Sequence, residues 1–116
     1  MEMLINPKVA SERYELSKPA VITITPKIIS FNRVAADKLC LNNGVMFTLH
    51  LKDKALSYKE VLKEGFKVNM PENSNLISAS ARGVTDILKE IFGEAKSYRF
   101  TIHGFKEGMW HLTRLN

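Results

Sequence analysis

Several short stretches of the chain alternate apolar and polar residues, and each predicts a strand with one dry and one wet face. In AVITIT, Ile22 and Ile24 point one way and Thr23 and Thr25 the other, with β-branched residues that suit a pleated surface. Pro26 interrupts this strand because it lacks a backbone donor, and KIISF resumes as a second extended piece. VMFTLHLK sets Phe47, Leu49 and Leu51 on one face and Met46, Thr48, His50 and Lys52 on the other. SYRFTIH turns Tyr98, Phe100 and Ile102 inward and Arg99, Thr101 and His103 outward. Beyond the turn GFKEG, Trp110 and Leu112 continue the apolar face, and His111 and Thr113 the polar one.

Two segments change to a helical period. Asn32 is a suitable N-cap for a helix over 33–41, whose apolar stripe runs from Val34 through Leu41. Asn42, Asn43 and Gly44 tolerate positive φ and end it. In a second helix, 81–92, Val84, Ile87, Leu88 and Ile91 share one face, with Ser80 as the cap and Gly93 as the exit. LSYKEVLKEG is open to two readings. Ser57 and Glu60 have capping-box spacing for a two-turn helix. KEG recurs at Lys106–Gly108, however, each time before an extended run, which favours a hairpin loop at both copies.

Residues 1–19, with Pro7, Pro19 and a helical turn around Ser11–Leu16, read as an N-terminal arm, and 20–116 as one domain. The expected fold is α+β: a single compact domain with a mainly antiparallel sheet. Two short amphipathic helices, 33–41 and 81–92, cover one face of that sheet and water the other. At 116 residues, 45% hydrophobic and 25% charged, the chain can bury a core without metal or disulfide. Its single cysteine, Cys40, reads as a core residue between Leu39 and Leu41, and cannot form an internal bridge. No apolar run approaches the roughly 20 residues of a membrane span. The expectation is a soluble, cytoplasmic protein with no membrane partner.

Candidate chemistry narrows the reading further. Cys40 near a helix C-terminus is poorly placed to be a thiolate. Ser78 and Ser80 lack a GxSxG elbow, and Asp86 and Glu90 read as a solvated helix face. No glycine-rich phosphate loop occurs. Neither catalytic residues nor a cofactor are therefore expected, and the chain reads as non-enzymatic. With a five-residue last loop, His103 would face Met109 and Thr101 would face His111, making the two histidines diagonal neighbours with His50 as a third ligand. Without HxH, HxxxH or an acidic partner, no metal site is expected.

The net charge of +5 suits a polyanionic partner. Arg33, Lys38, His50, Lys52, Arg99, His103 and His111, interleaved with threonines, are the candidate contacts to a DNA or RNA backbone. Most aromatics point inward, and Phe105 at a hairpin tip is the exception. With Met109 it forms a candidate partner contact. The alternative is an interaction or accessory module with no nucleic-acid ligand.

Between Ile29 and Asp53, IISFN, RVAADKLCL and NNGVMFTLHL read as strand, short helix, glycine turn and strand. This segment resembles the AbrB/SpoVT-like looped-hinge family, with Leu39 and Leu41 at its apolar pair and Gly44 at its turn glycine. The resemblance implies a homodimeric DNA-binding regulator built from interlocked hairpins. It covers about a quarter of the chain. Asn32, Ala36 and Val45 stand where that family usually has Pro, Arg and Asp.

Overall fold

In the computed structural model, residues 6, 7 and 18–116 are described. The expected arm, with its helical turn around Ser11–Leu16, lies largely outside them. The alternating stretches become strands β1 (Val21–Ile24), β2 (Ile28–Phe31), β3 (Met46–Lys52), β7 (Tyr98–Lys106) and β8 (Met109–Arg114). To these are added β4 (Ala55–Val61), β5 (Phe66–Asn69) and β6 (Ile77–Ser80). All pair antiparallel and close a barrel in the order β1-β2-β6-β5-β3-β4-β8-β7.

The expected α+β layering is therefore overturned. A sheet closed on itself buries its dry face against itself and needs no helical layer to cover it. Ile22, Ile24, Ile29, Phe47, Tyr58, Val68 and Phe100 are each nearly or fully inaccessible, each large apolar side chain contributing roughly 1.5–3 kcal/mol. Phe47 and Tyr58 stack at 4.9 Å, with the Phe31 ring edge-on to both. The ladder closes within one chain, so no strand from a second copy is needed to complete it.

Two helices lie within residues 18–116, α1 (Arg33–Lys38) and α2 (Val84–Phe92), and both are shorter than expected. Asn32 caps α1 by accepting from the Ala35 amide. The helix stops at Leu39 because Cys40 takes a left-handed conformation, φ 54°. The Leu41 amide then donates to Ala36 O and the Cys40 amide to Asp37 O, a Schellman ending. Cys40 is thus exposed rather than in the core, while Leu39 and Leu41 are buried.

Ser80 does not cap α2; it ends β6, and the helix begins from Gly83 at φ 89°. The stripe α2 buries is Val84, Thr85 and Leu88, whereas Ile87 is 58% exposed and Ile91 is 37% exposed, contrary to expectation. Its last residue, Phe92, packs on the inward rings of Tyr98 and Phe100.

The ambiguous segment is strand β4, entered by a two-residue turn with Asp53 and Lys54 both at positive φ. The two KEG copies differ. Lys106 pairs with Met109 around Glu107 and Gly108, which is a tight hairpin. The first copy is not a hairpin loop, because β5 pairs with β3 and β6 and not with β4.

Candidate nucleic-acid interface

Strands β3, β4, β8 and β7 lie side by side and form half of the barrel wall. Their registers set residues into cross-strand rows that alternate between the inside and the outside of the wall. Leu49, Tyr58, Trp110 and Phe105 make one inward row, and His50, Ser57, His111 and Gly104 the neighbouring outward row. Thr48 pairs with Lys59, and Thr101 with Thr113, on the same outward side.

Charge is distributed unevenly here. These four strands hold Lys52, Lys59, Arg99, Lys106, Arg114 and all three histidines, against the single acid Glu60. Asp53 and Glu107 sit in the turns rather than on the wall. Two ion pairs occur among the described residues, Arg33–Asp37 at 3.5 Å and Lys89–Asp86 at 3.7 Å, and neither involves the wall. Lys52, Lys59, Arg99 and Lys106 are exposed.

Arg114 has a different task. Its Nη1 donates to Phe92 O at 2.7 Å, and its guanidinium lies 5.1 Å from the Tyr98 ring centre and 5.7 Å from that of Phe92. Tyr98 Oη donates to Gly93 O at 2.6 Å. These groups fasten the C-terminal end of α2 and are not available to a ligand.

The histidines are not brought together as the five-residue loop implied. The last turn has two residues, and a bulge between Ile102 and Gly104 leaves His103 outside the paired rows. His111 Nδ1 is 3.2 Å from Ser57 Oγ, and its Nε2 is 3.3 Å from Lys106 O. With the proton on Nε2 donated to that carbonyl, Nδ1 accepts from the serine hydroxyl. His50 Nε2 lies 3.0 Å from Thr48 Oγ1. Among the described residues no three His, Cys, Asp or Glu side chains converge on a metal position.

Ser57, His111 and the Lys106 carbonyl follow the order of a nucleophile, its base and an orienting group. Ser57 is buried, however, and lines neither of two surface clefts. One cleft, about 680 Å³, runs from Arg33 to the 70–77 segment; the other, about 560 Å³, lies over Asn43, Lys67 and Ser78. The Ser57–His111 pair is read as a cross-strand fastening.

Of the expected contacts, His50, Lys52, Arg99, His103 and His111 belong to this wall. Arg33 and Lys38 do not, since α1 sits beside β1 and β2 and Arg33 pairs with Asp37. Lys59 and Lys106 were not among the expected contacts. A strand reading of LSYKEV with a two-residue turn at Asp53–Lys54 puts Lys59 opposite Thr48. No helix among the described residues is long and apolar enough to cross a membrane. Compared with known protein families, curated proteins and solved structures, the chain shows no match.

Proposed function

We propose that this chain is a small nucleic-acid-binding protein that grips the phosphate backbone along the outer wall of β3, β4, β8 and β7. The observation that carries this reading is the charge of that wall: Lys52, Lys59, Arg99 and Lys106 exposed, three histidines beside them, and Glu60 as the one acid. Threonine hydroxyls between the cations add hydrogen-bond donors to phosphate oxygens. The resemblance of residues 29–53 to looped-hinge domains points the same way, although the contact surface lies on the strands and not on α1. A six-residue helix whose arginine is already paired offers little to a groove.

Fluorescence anisotropy with single- and double-stranded oligonucleotides tests the reading. Affinity falls steeply with salt, because each neutralised phosphate releases counterions. The triple variant Lys52→Ala, Lys59→Ala, Arg99→Ala flattens the duplex salt slope by about 0.9 for each phosphate that is no longer neutralised. Absence of binding at low salt sinks the reading.

A further inference from the structure

We infer that the preferred ligand is single-stranded, and that the Phe105 ring, backed by Trp110, is the platform on which one of its bases stacks. This inference rests on the phosphate-binding reading of the wall. It starts from the bulge in β7. Ile102 pairs with Leu112 and Gly104 with His111, so His103 is an extra residue with no partner opposite. Strict alternation from Ile102 would send Phe105 to the outer face. The extra residue reverses that alternation and sets Phe105 in the inward row beside Trp110.

That row runs from the closed core to solvent. Tyr58 is 1% exposed, Trp110 half-buried, and Phe105 60% exposed at the end. The Phe105 and Trp110 ring centres lie 5.1 Å apart, tilted by 57°, so one ring supports the other. The hairpin carrying them is stiff, because Glu107 and Gly108 form a two-residue turn with positive φ at both positions. An aromatic ring is therefore held in solvent at a defined orientation, at the rim of the basic half of the barrel.

Charge favours one occupant. Lys106 follows Phe105, His103 precedes it by two, and Lys59 lies one residue beyond Tyr58, which pairs with Trp110; the one acid of this hairpin, Glu107, sits in the turn two residues after Phe105. A flat apolar ring beside exposed cations matches a ligand that offers a π-face next to a phosphate, which is an unpaired nucleotide. In a duplex the bases are already stacked on one another, and only the backbone reaches the wall.

The chain contains one tryptophan, Trp110, so its emission reports on this ring pair alone. A twelve-residue oligothymidine titrated into the full chain at low salt is expected to quench that emission. Phe105→Ala is expected to weaken oligothymidine binding about 5- to 100-fold and leave duplex affinity unchanged, and Phe105→Tyr to retain the wild-type affinity. Circular dichroism and sedimentation of each variant confirm its fold and state of association. Equal oligothymidine affinity for Phe105→Ala and wild type overturns the inference while leaving the wall reading intact. So does a preference of the wild type for duplex, or a Phe105→Ala variant that only dissociates a self-associated species. Failure of the wild type to bind any oligonucleotide overturns both.

Discussion

Asn32 and Val21 exchange two hydrogen bonds. The Asn32 amide donates to Val21 O at 3.1 Å, and the Val21 amide donates to Asn32 Oδ1 at 3.0 Å. The same Oδ1 accepts from the Ala35 amide, and Nδ2 donates to Pro19 O at 2.8 Å. One side chain thereby caps α1 and ties the helix to the entrance of β1. Asparagine suits the position because it carries a donor and an acceptor together.

Asn32→Ala is expected to cost about 2 kcal/mol, the sum of a lost N-cap and an unpaired Val21 amide. Asn32→Asp keeps the acceptor and loses only the exposed bond to Pro19, so its cost stays below about 1 kcal/mol. Asn32→Pro, which installs the looped-hinge residue, also removes the donor to Val21 O and is expected to be the worst of the three. Urea denaturation ranks them, and an Asp variant as damaged as Ala shows that the shared acceptor is not what matters.

The glycines of the two KEG segments are required for different reasons. A Cβ on Gly65 would lie 2.6 Å from Phe47 O, 3.0 Å from Phe47 N and 2.7 Å from a Val61 methyl. The first two are backbone atoms of β3 and cannot step aside, so Gly65→Ala is expected to cost about 3 kcal/mol. Gly108 has open space around it but φ 78°, so Gly108→Ala costs about 1 kcal/mol of backbone strain. Gly104 meets neither condition, and Gly104→Ala stays within about 0.5 kcal/mol of wild type. Thermal melting of the three variants checks the order.

Much of the wall is legible along the chain, and closure of the barrel is not. Period-two alternation survives in β3 and β7 because their outward residues remain wetter than their inward ones, whereas in β1 Val21 and Ile22 are both buried. It fails in β4, where Leu56, Ser57 and Tyr58 are buried in succession, so a capping-box spacing could compete with the strand. The pairings that close the barrel, β1 with β7, β2 with β6, β3 with β5 and β4 with β8, join distant residues and leave no local pattern. The candidate site divides in the same way. His50 and Lys52 follow from alternation alone. The position of Phe105 beside Trp110 depends on a two-residue turn and a one-residue bulge, each of which flips every later side chain.

Cys40 occupies the left-handed position of a Schellman ending, where glycine avoids the Cβ penalty of about 1–2 kcal/mol. Glycine also loses more entropy on folding, which offsets part of the gain. Cys40→Gly is expected to stabilise the chain by about 0.5–1 kcal/mol, and Cys40→Val to destabilise it by about 1 kcal/mol because β-branching crowds this conformation further. Differential scanning calorimetry under reducing conditions decides. A lower melting temperature for Cys40→Gly means that the thiol makes a contact worth more than the strain it imposes.

The Tyr58 hydroxyl is buried with no hydrogen-bond partner among the described residues, although its ring stacks on Phe47. Burial pushes its ionisation well above the usual tyrosine range, and the nearby Glu60 carboxylate raises it further. Since the folded value exceeds the unfolded one, this group's contribution is fully present below pH of about 10. Above that pH the unfolded chain releases the proton while the folded chain cannot. Stability should then fall by about 1.4 kcal/mol per pH unit from this group. Tyr58→Phe removes that slope and the desolvated hydroxyl together. The variant is expected to be about 1 kcal/mol more stable at pH 7, with an advantage that widens from pH 10 to 11. Chemical denaturation of both proteins across that range measures the difference, and a constant gap above pH 10 shows that Tyr58 ionises as readily in the barrel as outside it.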